Sequence, residues 1–262
     1  MPAETALITG ASSGIGRELA RLFAADRSDL VLVARREDRL RALSQELSSR
    51  FGVRALVLAK DLALPSACRE IEDELTSAGI QVDVLVNNAG FGDLGTFSSL
   101  GLERQMQMAQ VNMIAVTELT RRILPAMVGR RRGGVLNVAS AAAFQPGPMM
   151  SVYYASKAYV LHFSEGLAEE LAGTGVSATC LCPGPTSTEF GANSHMGGTL
   201  AFRLGTMSAV QVAQAGYDGF RAGKAIVVPG WRNKCIAFSV RLGRRSVVRK
   251  IVKFLHRPAG PK

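Results

Sequence analysis

Short apolar runs alternate with longer amphipathic stretches along most of the chain. The first run, Ala6-Leu7-Ile8, stops at Thr9-Gly10. Ile15 to Ala24 follows with Ile15, Leu19, Leu22 and Phe23 on one helical side. Similar runs centre on Val31, Leu56, Leu85, Leu136, Ala178 and Val227, so the pattern predicts seven strands in all. A long Ala-rich helix is predicted over Val152 to Leu171. Strand and helix patterns in alternation predict an α/β fold with a doubly wound, Rossmann-like parallel sheet. The 262 residues suit one such domain. The expected organisation is a dinucleotide-binding and catalytic body at 1–230, with a substrate lid at about 186–206, and a C-terminal extension at 231–262.

The turn after the first strand reads Thr9-Gly10-Ala11-Ser12-Ser13-Gly14-Ile15-Gly16. Its glycines allow a tight turn (Gly10), close approach of a ligand to backbone (Gly14) and close packing of helix on strand (Gly16). The helix behind it offers free N–H groups and the positive end of its dipole to a pyrophosphate. The spacing is G-x-x-x-G-x-G, not the more common G-x-G-x-x-G. The second strand ends in Ala34-Arg35-Arg36, where an NAD site would place an acid for the ribose 2′-hydroxyl. Guanidinium suits a phosphate, so Arg35 and Arg36 favour NADP(H), unless they are simply solvated residues opening a helix.

Tyr153 and Lys157 lie four apart on the long helix and share a face. An ammonium there is expected to draw the phenol down from its usual value near ~10 toward working pH, as acid–base chemistry requires. Ser140 closes the strand Val135-Leu136-Asn137-Val138, with its hydroxyl placed to hold a carbonyl oxygen.

These strings, with Asn87-Asn88-Ala89-Gly90, Val111-Asn112 and Pro183-Gly184-Pro185-Thr186, resemble the short-chain dehydrogenase/reductase family over roughly residues 5 to 230. The resemblance implies that Tyr153 gives a proton to a carbonyl oxygen as NADPH delivers hydride, and that Ser140 polarises that carbonyl. It implies that Lys157 binds the nicotinamide ribose, and that Asn112 anchors a water linking Lys157 to solvent. Gly10, Ser12, Ser13, Gly14, Ile15 and Gly16 would cradle the phosphates. Asp61 would meet the adenine, and Asn88, Ala89 and Gly90 the adenosine ribose. The stretch from Pro183 and Gly184 through Thr186 to Thr188 would cover the nicotinamide. Family members commonly pair through helices near Glu103–Val128 and Val152–Leu171, which implies a homodimer or homotetramer.

Charge divides the chain. No acid follows Asp218, whereas twelve of the 31 Lys/Arg do, leaving 19 basic against 21 acidic residues before that point. From Arg245 to Arg257 the apolar residues Val247, Val248, Ile251, Val252, Phe254 and Leu255 fall on one arc, opposite Arg249, Lys250 and Lys253. A basic amphipathic helix reads either as a binder of anionic membrane surfaces or as a helix packed on its own domain or a sister subunit. Nucleic acid fits poorly, because the body has no basic groove. The early first strand and the lack of a long apolar run give a cytoplasmic expectation, with peripheral membrane attachment beside it.

Cys68, Cys180, Cys182 and Cys235 form no C-x-x-C pair and are expected as buried free thiols, with Cys180 and Cys182 on opposite sides of a strand. His162, His195 and His256 make no metal spacing, so no metal is expected. Phe190, Met196, Leu200 and Phe202 in the lid, with Phe91, Leu94 and 143–150, make an apolar pocket if they are not packing. The expected reaction is therefore NADP(H)-dependent reduction of a lipophilic ketone or 3-oxoacyl chain. Two alternatives stand beside it: a hydroxysteroid or other secondary-alcohol dehydrogenase, and a non-catalytic NADP(H)-binding docking module.

Overall fold

The structure is a computed structural model and describes residues 4–257. In chain order its elements begin β1 (Thr5–Thr9), α1 (Gly14–Ala25), β2 (Asp29–Ala34), α2 (Glu37–Phe51), β3 (Ala55–Ala59), α3 (Ala67–Ser77) and β4 (Val84–Asn87). They continue α4 (Leu102–Ala109), α5 (Ala115–Arg130), β5 (Gly133–Val138), α6 (Ser151–Glu170), β6 (Val176–Leu181), β7 (Thr186–Ser187), α7 (Glu189–Asn193) and α8 (Leu200–Arg203). They end with β8 (Met207–Ser208), α9 (Ala209–Arg221), β9 (Ile226–Val227), α10 (Trp231–Leu242) and α11 (Arg245–Leu255).

All seven strands expected from the apolar runs form, in one parallel sheet of order β3-β2-β1-β4-β5-β6-β9. The chain builds outward from β1 on one side and then returns to build outward from β4 on the other. That reversal opens a crevice beyond the carboxyl ends of β1 and β4, the usual ligand position in such sheets.

Helices cover both faces. Leu19, Phe23, Leu40, Leu47, Val212 and Phe220 fill one layer, and Ile71, Leu75, Leu119, Ile123, Leu167 and Leu171 the other. Each fully buried side chain of this size contributes about 1.5–3 kcal/mol relative to exposure. Local signals agree with the packing: Glu37 and Asp38 stand at the positive end of α2, and Gly52 at φ 70° closes it.

The segment at 186–206 folds into β7, α7 and α8, and β7 pairs with β8 in parallel. Hydrogen bonds anchor it: Leu94 N donates to Ser194 O at 3.1 Å, and Leu200 N to Arg257 O at 3.2 Å. The basic tail forms two helices, α10 and α11, and α11 covers the stretch where the apolar arc from Arg245 predicted a helix. On α11, Val248 and Val252 are buried against Met108, Met150, Tyr153 and Tyr154, while Val247, Ile251 and Phe254 are exposed. Residues 1–3 of the expected body and 258–262 of the expected extension lie outside the described residues.

Two cysteine expectations are corrected. Residues two apart in a strand share a face, and the Cys180 and Cys182 sulfurs lie 3.6 Å from each other. Cys68, Cys180 and Cys182 are buried, but Cys235 is exposed on α10.

Candidate active site

The crevice at β1 and β4 is the floor of a cleft of about 1070 Å³. Its base is a knot of backbone and side chain. Asn88 donates from Nδ2 to Thr9 O at 2.9 Å, and the Asn88 and Ala89 amides both donate to Thr9 Oγ1 at 3.0 Å. This knot explains two glycines. Gly10 sits at φ +67°, and a Cβ there would come within 2.8 Å of Asn88 Nδ2. A Cβ on Gly16 would approach Gly10 O to 2.5 Å. At the start of α1 the Ser13 side chain makes no cap hydrogen bond, and Ser12, Ser13, Gly14 and Ile15 line the cleft.

Arg36 reaches over this loop. Its Nη2 donates to Ser12 Oγ at 3.1 Å and Ser13 Oγ at 3.0 Å, and its Nη1 to Glu189 Oε2 at 2.7 Å. Arg39 also pairs with Glu189. The two guanidinium groups hold the Glu189 carboxyl below its ordinary value. Arg35 is largely exposed, with Asp61 at 3.9 Å. Arg39 and Glu189 were not singled out from the sequence, since the Arg36–Glu189 pair joins positions 153 apart.

At the other end, Tyr153 and Lys157 rise from α6, Ser140 from the end of β5, and Asn112 from a π-helical turn at Gln110–Ile114 between α4 and α5. Such turns recur at functional sites. Asn112 is wholly buried and fixed at both ends: Nδ2 donates to Phe91 O and Ser156 Oγ at 3.0 Å, and Oδ1 accepts from Phe91 N at 3.1 Å. Lys157 and Asn112 converge on Gly90, where a Cβ would stand 3.1 Å from Asn112 Oδ1 and 3.2 Å from Lys157 Nζ. Pro183, Gly184, Thr186 and Thr188 form the roof beside the Gly14 turn.

The electrostatics correct one expectation. Burial pushes the Tyr153 phenol up to about 12, eased by its hydrogen bond with Ser140. Burial also pushes Lys157 down to about 8, partly offset by the nearby Cys180 and Cys182 sulfurs. The lysine donates to Val138 O at 2.8 Å and lies 5.9 Å from the centre of the Tyr153 ring. Desolvation therefore outweighs the anticipated pull of an ammonium on the phenol.

Phe91, Met150, Phe190, Met196 and Phe202 line the far half of the cleft. Basic groups reach it from outside the segments considered in the sequence: Arg104 from α4, paired with buried Asp93, and Arg232 from α10. The tail also contributes Trp231, Ile236, Val252, Leu255 and His256. His256 is buried and was not assigned a role from the sequence. Its Nδ1 lies 2.7 Å from Pro148 O, a carbonyl that can only accept, so Nε2 is left to accept the Tyr154 hydroxyl at 2.8 Å.

The short chain dehydrogenase family model matches residues 4–197. A short chain dehydrogenase of Pseudocercospora fijiensis is 39% identical over 191 residues, covering 72% of this chain and 62% of the relative. A very-long-chain 3-oxoacyl-CoA reductase of Pyrenophora tritici-repentis is 36% identical over 180 residues, covering 67% and 53%. The chain thus matches less than two thirds of either relative's own length. Among solved structures, a short-chain dehydrogenase from Sphingobium yanoikuyae in complex with NADPH superposes with a TM-score of 0.83 at 32% identity, covering 93% of this chain and 94% of that one. The chain belongs to the short-chain dehydrogenase/reductase family, which is a family of nicotinamide-dependent oxidoreductases.

Proposed function

We propose that this chain is an NADP(H)-dependent carbonyl reductase acting on a lipophilic ketone or 3-oxoacyl-type substrate, with Tyr153 as the proton donor. The observation that carries the proposal is the buried Tyr153 beside Ser140 and Lys157, at the head of the cleft built on the Gly10–Gly16 turn. A reductase needs its acid protonated at neutral pH, and this environment keeps it so.

The residues present fit a dinucleotide. The turn is stripped of side chains where Gly10 and Gly16 meet Asn88, the α1 amides are uncapped, and Ser12, Ser13 and Arg36 cluster beside them. Gly10, Ser12, Ser13, Gly14, Ile15 and Gly16 would hold the pyrophosphate, Arg36 with Arg35 the 2′-phosphate, and Asp61 with Asn88, Ala89 and Gly90 the adenosine. Pro183, Gly184, Thr186 and Thr188 would cover the nicotinamide. The bound cofactor supplies hydride. Ser140 orients the carbonyl oxygen toward Tyr153, Lys157 binds the nicotinamide ribose, and Asn112 with Lys157 passes a proton inward to re-protonate Tyr153.

The apolar far half of the cleft supports a lipophilic substrate, in keeping with the activity named for the 3-oxoacyl-CoA reductase relative. The complete set Asn112, Ser140, Tyr153 and Lys157 speaks against a non-catalytic binding module. Exposed Leu102, Met106, Ile114 and Tyr159 on α4 to α6 support a homo-oligomer, and the positive tail supports peripheral contact with anionic membrane. Transfer of deuterium from 4-deuterated NADPH to the carbonyl carbon, present in the native protein and lost in Tyr153→Phe, tests the reaction. Transfer that persists in Tyr153→Phe removes Tyr153 from the role of donor.

A further inference from the structure

The tail helices carry more than charge. On α10, Trp231, Cys235, Phe238 and Leu242 follow an i, i+4, i+7, i+11 spacing, which gathers them into one stripe. Lys234 and Arg241 flank the stripe on one side and Arg232 on the other. On α11 the apolar arc is split. Val248 and Val252, with His256 beyond them, pack inward, while Val247, Ile251 and Phe254 turn outward beside Arg249, Lys250 and Lys253. Trp231, Phe238, Leu242, Val247, Ile251 and Phe254 are 50% to 77% exposed. These exposed apolar side chains on two consecutive helices mark an interaction surface.

The charges select the occupant. A second copy seated on this face would set one set of Lys/Arg against another with no acid on either tail, since none follows Asp218. Anionic headgroups supply the missing counter-charge, and each basic residue near such a surface contributes about 1 kcal/mol. Apolar side chains flanked by cations are the pattern of a helix seated at the headgroup–acyl boundary.

We propose that α10 and α11 form a docking surface for an anionic lipid bilayer, and that they are the wall shared by the bilayer and the cleft. The second half rests on the lipophilic-carbonyl reading. The shared wall is visible in single residues. Trp231 and Ile236 on α10 are exposed and also border the cleft, and on α11 Val252 and Leu255 line the cleft next to outward-turned Ile251 and Phe254. A lipid-dissolved carbonyl then reaches Tyr153 past these helices without crossing water.

Trp231 is the single tryptophan of the chain, so its emission reports docking directly. The full-length protein is titrated with vesicles of pure phosphatidylcholine and with vesicles also containing phosphatidylglycerol. The expected result is a blue shift with the anionic vesicles only, reversed by high salt. Phe238→Ser with Leu242→Ser, or Ile251→Ser with Phe254→Ser, weakens vesicle binding by at least about tenfold, with an unchanged melting temperature because all four side chains are exposed. An emission that ignores both vesicle types overturns the proposal. So does a blue shift that grows with protein concentration in the absence of lipid, which means self-association. Anionic vesicles are expected to speed reduction of a bilayer-dissolved ketone and leave a short water-soluble ketone unaffected; equal effects on both overturn the shared wall. Vesicle binding in a protein that reduces no carbonyl sinks the substrate reading and leaves the docking surface standing.

Discussion

The Tyr154 hydroxyl and the His256 ring meet at 2.8 Å across 102 positions of sequence. The contact pins the end of α11 to α6, one residue from Tyr153, and makes the tail part of the active-site wall. Burial lowers the His256 value below the ordinary imidazole. The unfolded chain therefore binds this proton more readily than the folded one, and the contribution of His256 is lost as pH falls below about 6.5 toward its folded value. His256→Ala is expected to cost about 1–3 kcal/mol by leaving the buried Tyr154 hydroxyl without its partner. Thermal melts of the variant and of Tyr154→Phe, alone and combined, check this: the two losses should fail to add.

Lys157 sets a second pH dependence of the same sign at higher pH. Its value falls from 10.5 to about 8 on burial, so below pH 8 the fold carries a charged, desolvated ammonium. That burden is relieved as pH rises from 8 toward the unfolded value, and stability increases across the window. The full effect is about 3 kcal/mol by the usual conversion of a pKa difference. Denaturation of the native chain and of Lys157→Met between pH 7 and 10 should show a rising trend in the first and a flatter one in the second.

Arg36 is predicted to discriminate the cofactors. Replacing it with Leu removes charge-assisted hydrogen bonds worth about 1.5–3 kcal/mol, so NADPH should bind on the order of 10–100-fold more weakly while NADH binding stays nearly constant. Titration of cofactor fluorescence reads both. Equal losses for the two cofactors would assign Arg36 to holding the loop through Ser12 and Ser13.

Gly16→Ala is predicted to destabilise the chain by about 1–3 kcal/mol, the usual cost of overpacking. Its Cβ would face Gly10 O at 2.5 Å and Asn88 Nδ2 at 2.4 Å. Chemical denaturation measures the loss, and weakened cofactor binding should accompany it because the same knot shapes the turn.

Much of this was legible from residue order. Apolar runs around Leu7, Val31, Leu56, Leu85, Leu136, Ala178 and Val227 marked every strand of the large sheet, because strands buried on both faces leave continuous hydrophobic strings. The expected positions of Ser140, Tyr153, Lys157 and Asn112 converge on one end of the cleft. What escaped depends on distance or on burial. Nothing local links Arg36 to Glu189 or Tyr154 to His256. The shift of Tyr153 reflects how deeply α6 is covered, a property of the assembled fold. The α11 arc looked like one apolar face and is two, since part of it meets Tyr154 and part meets solvent. The stripe on α10 went unread because basic residues interrupt it in sequence though not along the helix.

The most direct measurement is NADPH oxidation against ketones of graded chain length, with Tyr153→Phe as the paired control. The account predicts turnover that rises with apolar length and falls by about 10²–10⁴ in Tyr153→Phe, while NADPH affinity is kept. Tight NADPH binding with no turnover of any carbonyl, or turnover indifferent to Tyr153→Phe, would contradict it.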